Sequence, residues 1–212
     1  MLALGTSRTA FGFRAQRSAA SDGPTWQFNF GLTGIGPVQD LIGLHLILAE
    51  GVRPTHLLIE IHPAFLHQTA DWCEARAVDV RKLDWRDLTV LSRYAFAPRS
   101  LALRWIASRL SPWHSYRVEL LRRLAPAWLE EASRRDARML VETDDSGWSR
   151  FPLRPADDAE RQRVGKWCAD LYTGALTRFE VTGVPLLAID EMLAICRREQ
   201  IEAALVLMPE GG

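Results

Sequence analysis

The sequence has few cysteines and almost no lysine. Its three cysteines, Cys73, Cys168 and Cys196, are widely spaced and form no Cys-x-x-Cys pair. The histidines show no regular spacing either, so the sequence supports neither a disulfide framework nor a zinc site. Lys82 and Lys166 are the only lysines among 26 basic residues. We attribute this bias towards arginine to genome composition rather than to function.

Long apolar runs and net charge are also missing. No stretch of 18 or more apolar residues is present, and residues 1–20 lack the order of a signal peptide, so a cytoplasmic location is the default expectation. The formal net charge is zero, which gives no overall electrostatic reason to expect nucleic acid or an anionic membrane as partner. With 212 residues, 48% of them hydrophobic, the chain is predicted to form one domain with an insertion.

The chain begins with a short apolar strand that ends in a serine turn. Leu2 to Leu4 is followed by Gly5-Thr6-Ser7, which places the Ser7 hydroxyl on a tight bend at the carboxyl end of the strand. Ligands collect at this edge in open parallel sheets. The alternative is that Ser7 only caps the structure that follows it, since serine is favoured at turns and helix starts.

Three further strands are predicted. They are Trp26 to Phe30, Thr55 to Ile61 and Ala203 to Met208, all apolar enough to be buried, with helices from about Pro37 to Glu50 and from Ala188 to Gln200. A strand, glycine loop, helix and strand in this order form a βαβ unit. A dinucleotide site in the glycine loop is disfavoured, because the glycine spacing is wrong and no suitable acidic residue follows.

The middle of the chain, residues 67–180, is predicted to be a helical insertion within a single domain of residues 1–212. Apolar residues recur there every three to four positions, prolines separate the segments, and Thr143 to Pro155 is predicted to be a hinge or exposed crossing. Six of the eight tryptophans lie between 72 and 148, among many arginines. They either mark a binding surface or anchor a helical layer whose arginines are solvated, and we favour the second interpretation.

Two glycine-containing segments carry a resemblance to a known family. Gly5-Thr6-Ser7-Arg8 resembles the first block of the SGNH (GDSL-like) hydrolases, and Asn29-Phe30-Gly31-Leu32-Thr33-Gly34 resembles their second block. The resemblance extends over roughly residues 1–65 and 186–209 and is strongest to an arginine-rich bacterial subset with a helical insertion. It implies a three-layer α/β/α doubly wound parallel sheet of the flavodoxin-like kind, with Ser7 as nucleophile and Gly34 as an oxyanion-hole donor.

The catalytic base that the resemblance implies is missing. The family takes its histidine from an Asp-x-x-His block near the C-terminus, and no such block follows the last strand here, so we interpret the site as incomplete. The family's Gly-x-Asn-Asp block is not recognisable either, and Glu60-Ile61-His62 stands in its place. His62 is either an improvised base or a donor to a nearby carbonyl, and we favour the donor.

The sequence therefore predicts an SGNH-like serine esterase or deacylase scaffold. Its candidate catalytic residues are Ser7 and His62, with Gly34 in the oxyanion hole, and its substrate would be a small-molecule, carbohydrate or lipid acyl ester. No metal, organic cofactor or nucleic-acid partner is implied. The alternative is a non-catalytic binding or structural module that keeps the same fold.

Overall fold

Four parallel strands form the centre of the molecule. A computed structural model describes residues 1–14, 26–66, 80–81, 83–94, 98–129, 143–149, 157–177 and 183–208. The strands are β1 (Leu2–Gly5), β2 (Phe28–Gly31), β3 (His56–Glu60) and β4 (Glu202–Val206). They lie in the order β2-β1-β3-β4. The prediction of an α/β fold with a parallel sheet is confirmed.

Helices connect the strands. They are α1 (Ser7–Gly12), α2 (Pro37–Ala49), α3 (Trp85–Tyr94), α4 (Pro98–Leu110), α5 (Pro112–Leu124), α6 (Asp158–Leu176) and α7 (Val184–Arg198), with short 3₁₀ turns at Pro63–Phe65 and Pro126–Trp128. The predicted helix after the glycine loop ends as expected, since Gly51 has a φ of 80°. Within the described ranges, no helix has the length and hydropathy needed to cross a bilayer.

The hydrophobic core lies on one face of the sheet. Side chains alternate along a strand, so Leu2 and Leu4 of β1 share this face with Leu57 and Ile59 of β3, as the strand register requires. All four pack in one cluster with apolar residues of α2 and α7. The opposite face carries α1, and Asn29 and Glu60 point towards it.

The prediction that the last strand is buried is wrong. Four of the five residues of β4 are exposed, including Leu205 at 46%. The apolar run was interpreted as a strand covered on both faces, but β4 lies at the edge of the sheet and pairs only with β3 among the described strands. The apolar run therefore predicts the strand correctly, but the prediction that its residues are buried is wrong.

The described part of the predicted insertion is mostly helical. Helices α3 to α6 make up most of it, together with a 3₁₀ turn and the segment 143–149. Most of the helical segment predicted at 127–138 lies outside the described residues. The interpretation of the tryptophans as anchors is wrong for three of them. Trp85, Trp113 and Trp128 are exposed at 68%, 69% and 80%. Trp105 is an anchor, since it is partly buried and its indole N–H donates to the Leu83 carbonyl over 3.0 Å.

Helix α3 joins the insertion to the core through a polar contact. The Tyr94 hydroxyl of α3 donates to the Glu191 carboxylate of α7, and the same carboxylate lies 3.9 Å from the His45 ring of α2. Burial, followed by the hydrogen bond to Glu191, raises the pKa of Tyr94 to about 12. Helix α3 is therefore held to the two helices that cover the core.

Candidate functional site

The serine turn is built by a helix that starts immediately after β1. Thr6 is the N-cap of α1, and its side-chain oxygen accepts from the Arg8 N–H over 3.2 Å. This is the usual use of threonine at a helix start. Ser7 follows as the first helical residue and is partly exposed at the carboxyl end of the sheet.

A buried carboxylate secures this turn. Glu60, at the end of β3, is only 4% exposed. It accepts from the backbone N–H groups of Thr6 and Thr9 over 2.7 and 3.2 Å. It also accepts from their hydroxyls, at 2.9 Å for Thr6 and 2.6 Å for Thr9. All four groups donate, so the carboxylate accepts four hydrogen-bonding groups at the start of α1.

These contacts provide acceptors for most of the backbone N–H groups at the start of α1. A helix leaves its first N–H groups without acceptors inside the helix. Glu60 takes those of Thr6 and Thr9, and the Thr6 side chain takes that of Arg8. Ser7 is the exception, because neither its N–H nor its hydroxyl bonds to another of the residues described. The turn therefore presents one serine hydroxyl and one backbone donor from the same residue.

Gly5 is what allows Glu60 to reach α1. A Cβ on Gly5 would collide with the Thr9 hydroxyl and would lie 2.5 Å from both Cβ and Oε2 of Glu60. Such distances are far below van der Waals contact, so no side chain fits at this position without displacing the carboxylate. The carboxylate crosses the end of β1 through the space that glycine leaves.

The other end of α1 is held by Asn29. This residue of β2 is 2% exposed, and its amide NH₂ donates to the carbonyls of Thr9 and Phe13 over 2.7 and 2.6 Å. Its amide oxygen accepts from the Gly31 N–H over 2.8 Å. Side chains from two different strands thus fix α1 at both ends, which compensates for its length of only six residues.

The segment 143–149 adds support on the same side. Its Ser146 carbonyl accepts from the Asn29 N–H over 2.7 Å, and the Trp148 indole donates to the Phe11 carbonyl over 2.8 Å. The Asp144 carboxylate closes the turn, and its hydrogen bond from the Ser146 hydroxyl is the main cause that lowers its pKa. Residues 143–149 are exposed or partly exposed, as expected of a crossing, and they are anchored to β2 and α1, while 150–155 lies outside the described residues.

Gly34 lies in the neighbouring loop at the same edge of the sheet. The carboxyl ends of β1 and β2 are adjacent, since Gly5 pairs with Gly31 and the Leu32 N–H donates to the Gly5 carbonyl over 2.9 Å. Gly34 has a φ of 72° and is exposed. Its N–H finds no acceptor in the part of the chain that the structure covers. Ser7 follows Gly5 by two residues, and Gly34 follows Gly31 by three. Since Gly5 and Gly31 are paired, Ser7 and Gly34 lie in adjacent loops.

His62 lies at the same edge, just past the end of β3. It is 5% exposed and caps the 3₁₀ turn, with its Nδ1 accepting from the Ala64 N–H over 3.2 Å. The Phe65 ring meets its edge at 4.9 Å between centroids. A neutral imidazole has one N–H, so acceptance at Nδ1 places the proton on Nε2. In this tautomer Nε2 carries the hydrogen, whereas a serine's general base must accept a proton at that nitrogen.

A cleft lies at the opposite edge of the sheet. It has a volume of about 720 Å³ and is lined by residues at the amino ends of the strands and the end of α2, among them Leu2, Phe28 and Ile47. None of Ser7, Gly34 and His62 lines it. Among the residues described, no group of three or more His, Cys, Asp or Glu side chains is placed to hold a metal ion.

Sequence reasoning located the serine turn but missed what holds it. The sequence singles out Glu60 only within the segment that stands in place of the Gly-x-Asn-Asp block, and Asn29 only within a glycine-containing segment. A polar residue within an otherwise apolar strand is the available signal for both, because such a side chain needs a buried partner. Comparison with known proteins gives no match to a family model, a curated protein or a solved structure. The family resemblance therefore stays a prediction.

Proposed function

We propose that the carboxyl edge of the sheet is a serine acyl-transfer site on an SGNH-like, flavodoxin-like scaffold with a helical insertion. The observation that carries this proposal is the state of Ser7. Its hydroxyl and N–H have no partner among the described residues, although every neighbouring donor in the turn is used. A reactive serine needs this arrangement, because the hydroxyl has to meet the substrate and the N–H has to meet its developing oxyanion.

The reaction would begin with attack of the Ser7 oxygen on the carbonyl of an acyl ester. A bond forms between the Ser7 Oγ and the carbonyl carbon, and the carbonyl oxygen becomes negative. The ester C–O bond then breaks, and the alcohol leaves with the proton that solvent water transfers from the Ser7 hydroxyl. A second water would hydrolyse the acyl-serine to free Ser7 and release the acid. The N–H groups of Ser7 and Gly34 are the donors proposed for the negative oxygen. Glu60 takes no part in proton transfer, since its carboxylate is engaged by Thr6 and Thr9.

The geometry of His62 favours a second candidate, a non-catalytic binding module. Attack by serine requires a base for the hydroxyl proton. The Nδ1 atom of His62 accepts from the Ala64 N–H, and a neutral ring held in this way has its hydrogen on Nε2. Ser7 and Gly34 would then bind an oxyanion or carbonyl group without turnover. Both candidates use the same donors and differ in whether a base accepts the Ser7 proton.

Turnover of p-nitrophenyl acetate separates the two candidates. We expect slow turnover that Ser7→Ala abolishes, because attack without a base is inefficient but still requires the hydroxyl. His62→Ala should leave the rate within about twofold, since His62 is not oriented to act as a base. Ser100→Ala, at an exposed position of α4, is the matched control and should not change the rate.

Two results would contradict this proposal in different ways. Fast turnover that is lost in both Ser7→Ala and His62→Ala would show that His62 is the base after all. Turnover that Ser7→Ala leaves unchanged would remove Ser7 from the chemistry and leave the binding module.

A further inference from the structure

Helix α4 has an apolar row on the side that faces away from the core. Leu101 is buried and Trp105, one turn later, is partly buried, which defines the inner side of the helix. Leu103, Ile106 and Leu110 lie on the opposite side, because they are spaced by three and four residues and are offset from Leu101 by about half a turn. They are 67%, 45% and 80% exposed. Apolar residues thus occupy both the inner and the outer side of α4.

Helix α5, which follows α4 directly, also has an exposed apolar row. Trp113, Tyr116, Leu120 and Leu124 follow one another at intervals of three, four and four residues, which places them in one row along the helix. Their exposed fractions are 69%, 48%, 38% and 81%, and Trp128 in the following 3₁₀ turn is 80% exposed. We call the outer rows of α4 and α5, together with Trp128, the outer apolar surface.

The same segment has a large excess of positive charge. Between residues 98 and 128 the sequence has six arginines and a single acidic residue, Glu119, although the whole chain has no net charge. Glu119 is paired with Arg81 over 3.1 Å. Arg99, Arg117 and Arg123 are exposed and form no ion pair with any other residue in the described ranges. By helical position, Arg117 and Arg123 lie on either side of the apolar row of α5.

We propose that the outer apolar surface docks on an anionic lipid bilayer, with α4 and α5 lying in the plane of the headgroups. Helices that bind this way combine arginine with a face of leucine and tryptophan. Exposed apolar patches of this extent mark interaction sites. The arginines would contact lipid phosphates, while the leucines and tryptophans enter the boundary with the acyl chains.

A lipid surface fits these residues better than nucleic acid does. Leu103, Leu110 and Leu124 are among the most exposed side chains of the segment and offer nothing to a phosphate backbone or a base edge. Burying them requires an apolar environment, and the unpaired arginines require negative charge beside it. At an anionic bilayer surface, the negatively charged headgroups and the apolar acyl chains lie within the length of one side chain of each other.

Flotation of the purified chain with lipid vesicles tests the proposal. Vesicles of phosphatidylcholine alone are compared with vesicles that contain 30% phosphatidylglycerol, at low and high salt. We expect at least tenfold stronger binding to the anionic vesicles, and weaker binding as salt increases. The double variant Leu110→Glu/Leu124→Glu should lose binding by tenfold or more. Arg117→Gln/Arg123→Gln should weaken it on the order of 30-fold, at about fivefold for each arginine.

Matched substitutions outside the surface are the controls. Leu187→Glu, at a leucine of α7 that is 58% exposed, and Arg163→Gln, at an exposed arginine of α6, should bind vesicles as the unchanged chain does. Circular dichroism on every variant shows whether the fold is kept.

Each contrary result has a clear meaning. Absence of vesicle binding, or equal binding to neutral and anionic vesicles, would overturn the proposal. Dimers that dissociate in Leu110→Glu/Leu124→Glu, without vesicle binding, would assign the surface to a second copy of the chain. Binding to single-stranded RNA that excludes vesicles and survives the leucine substitutions would assign the charge to nucleic acid, and would also overturn it.

Discussion

Replacing Gly5 with alanine is expected to lower the free energy of unfolding by about 3 kcal/mol, the upper end for an overpacked core. The added Cβ would occupy the space between the Thr9 hydroxyl and the Glu60 carboxylate. Either β1 moves or Glu60 leaves the start of α1, and both outcomes cost hydrogen bonds that are buried. Urea unfolding followed by circular dichroism measures the change.

Gly165→Ala provides a control with the opposite sign. Gly165 lies in α6, and a Cβ there would meet nothing within 4 Å. Alanine in a helix interior is more favourable than glycine by up to about 1 kcal/mol, so this variant should be more stable. Equal stability of Gly5→Ala and the unchanged chain would contradict the close packing that we describe at the end of β1.

Removing the carboxylate itself should have a similar or larger effect. Glu60→Ala leaves two backbone N–H groups and two hydroxyls of Thr6 and Thr9 without their acceptor in a buried site. Unsatisfied buried donors cost about 1–3 kcal/mol each, partly offset where water enters, so we expect a loss of about 3–5 kcal/mol. Glu60→Gln should lose less, because the amide oxygen still accepts from some of the donors.

Glu202→Ala is the matched control for this substitution. Glu202 is also in a strand, but its side chain is 82% exposed and its carboxylate lies 3.2 Å from Nε2 of His56, which is exposed as well. An exposed pair of this kind contributes at most about 1 kcal/mol, so the control should differ little from the unchanged chain. If Glu60→Ala were as mild as Glu202→Ala, the serine turn would not depend on the carboxylate.

The strands and the edge at which the site lies were predictable, because they depend on local patterns. Apolar runs identified all four strands, and the glycines after β1 and β2 identified the turns. The burial of β4 was not predictable in this way. An apolar sequence shows that a strand is favoured but not what covers it, and coverage is decided by the position of the strand in the sheet.

The support of the site depends on contacts between distant parts of the chain. Glu60 meets Thr6 across 54 positions, and Trp148 meets Phe11 across 137. Patterns among neighbouring residues in the sequence do not indicate such a pair. The charge of the whole chain was similarly uninformative, since a net value of zero conceals the arginine excess of α4 and α5. Counting charge by segment would have revealed it.

Covalent labelling of Ser7 tests most directly whether the carboxyl edge is a reactive serine site. The chain is treated with a fluorophosphonate and digested with trypsin, which releases Met1–Arg8 with Ser7 as its only serine. Mass spectrometry then compares this peptide with the other serine-containing peptides over time. We expect Ser7 to be labelled at least tenfold faster than any other serine, because its N–H and that of Gly34 stabilise the phosphonyl oxygen. Labelling of Ser7 at the rate of the other exposed serines would contradict the proposed site.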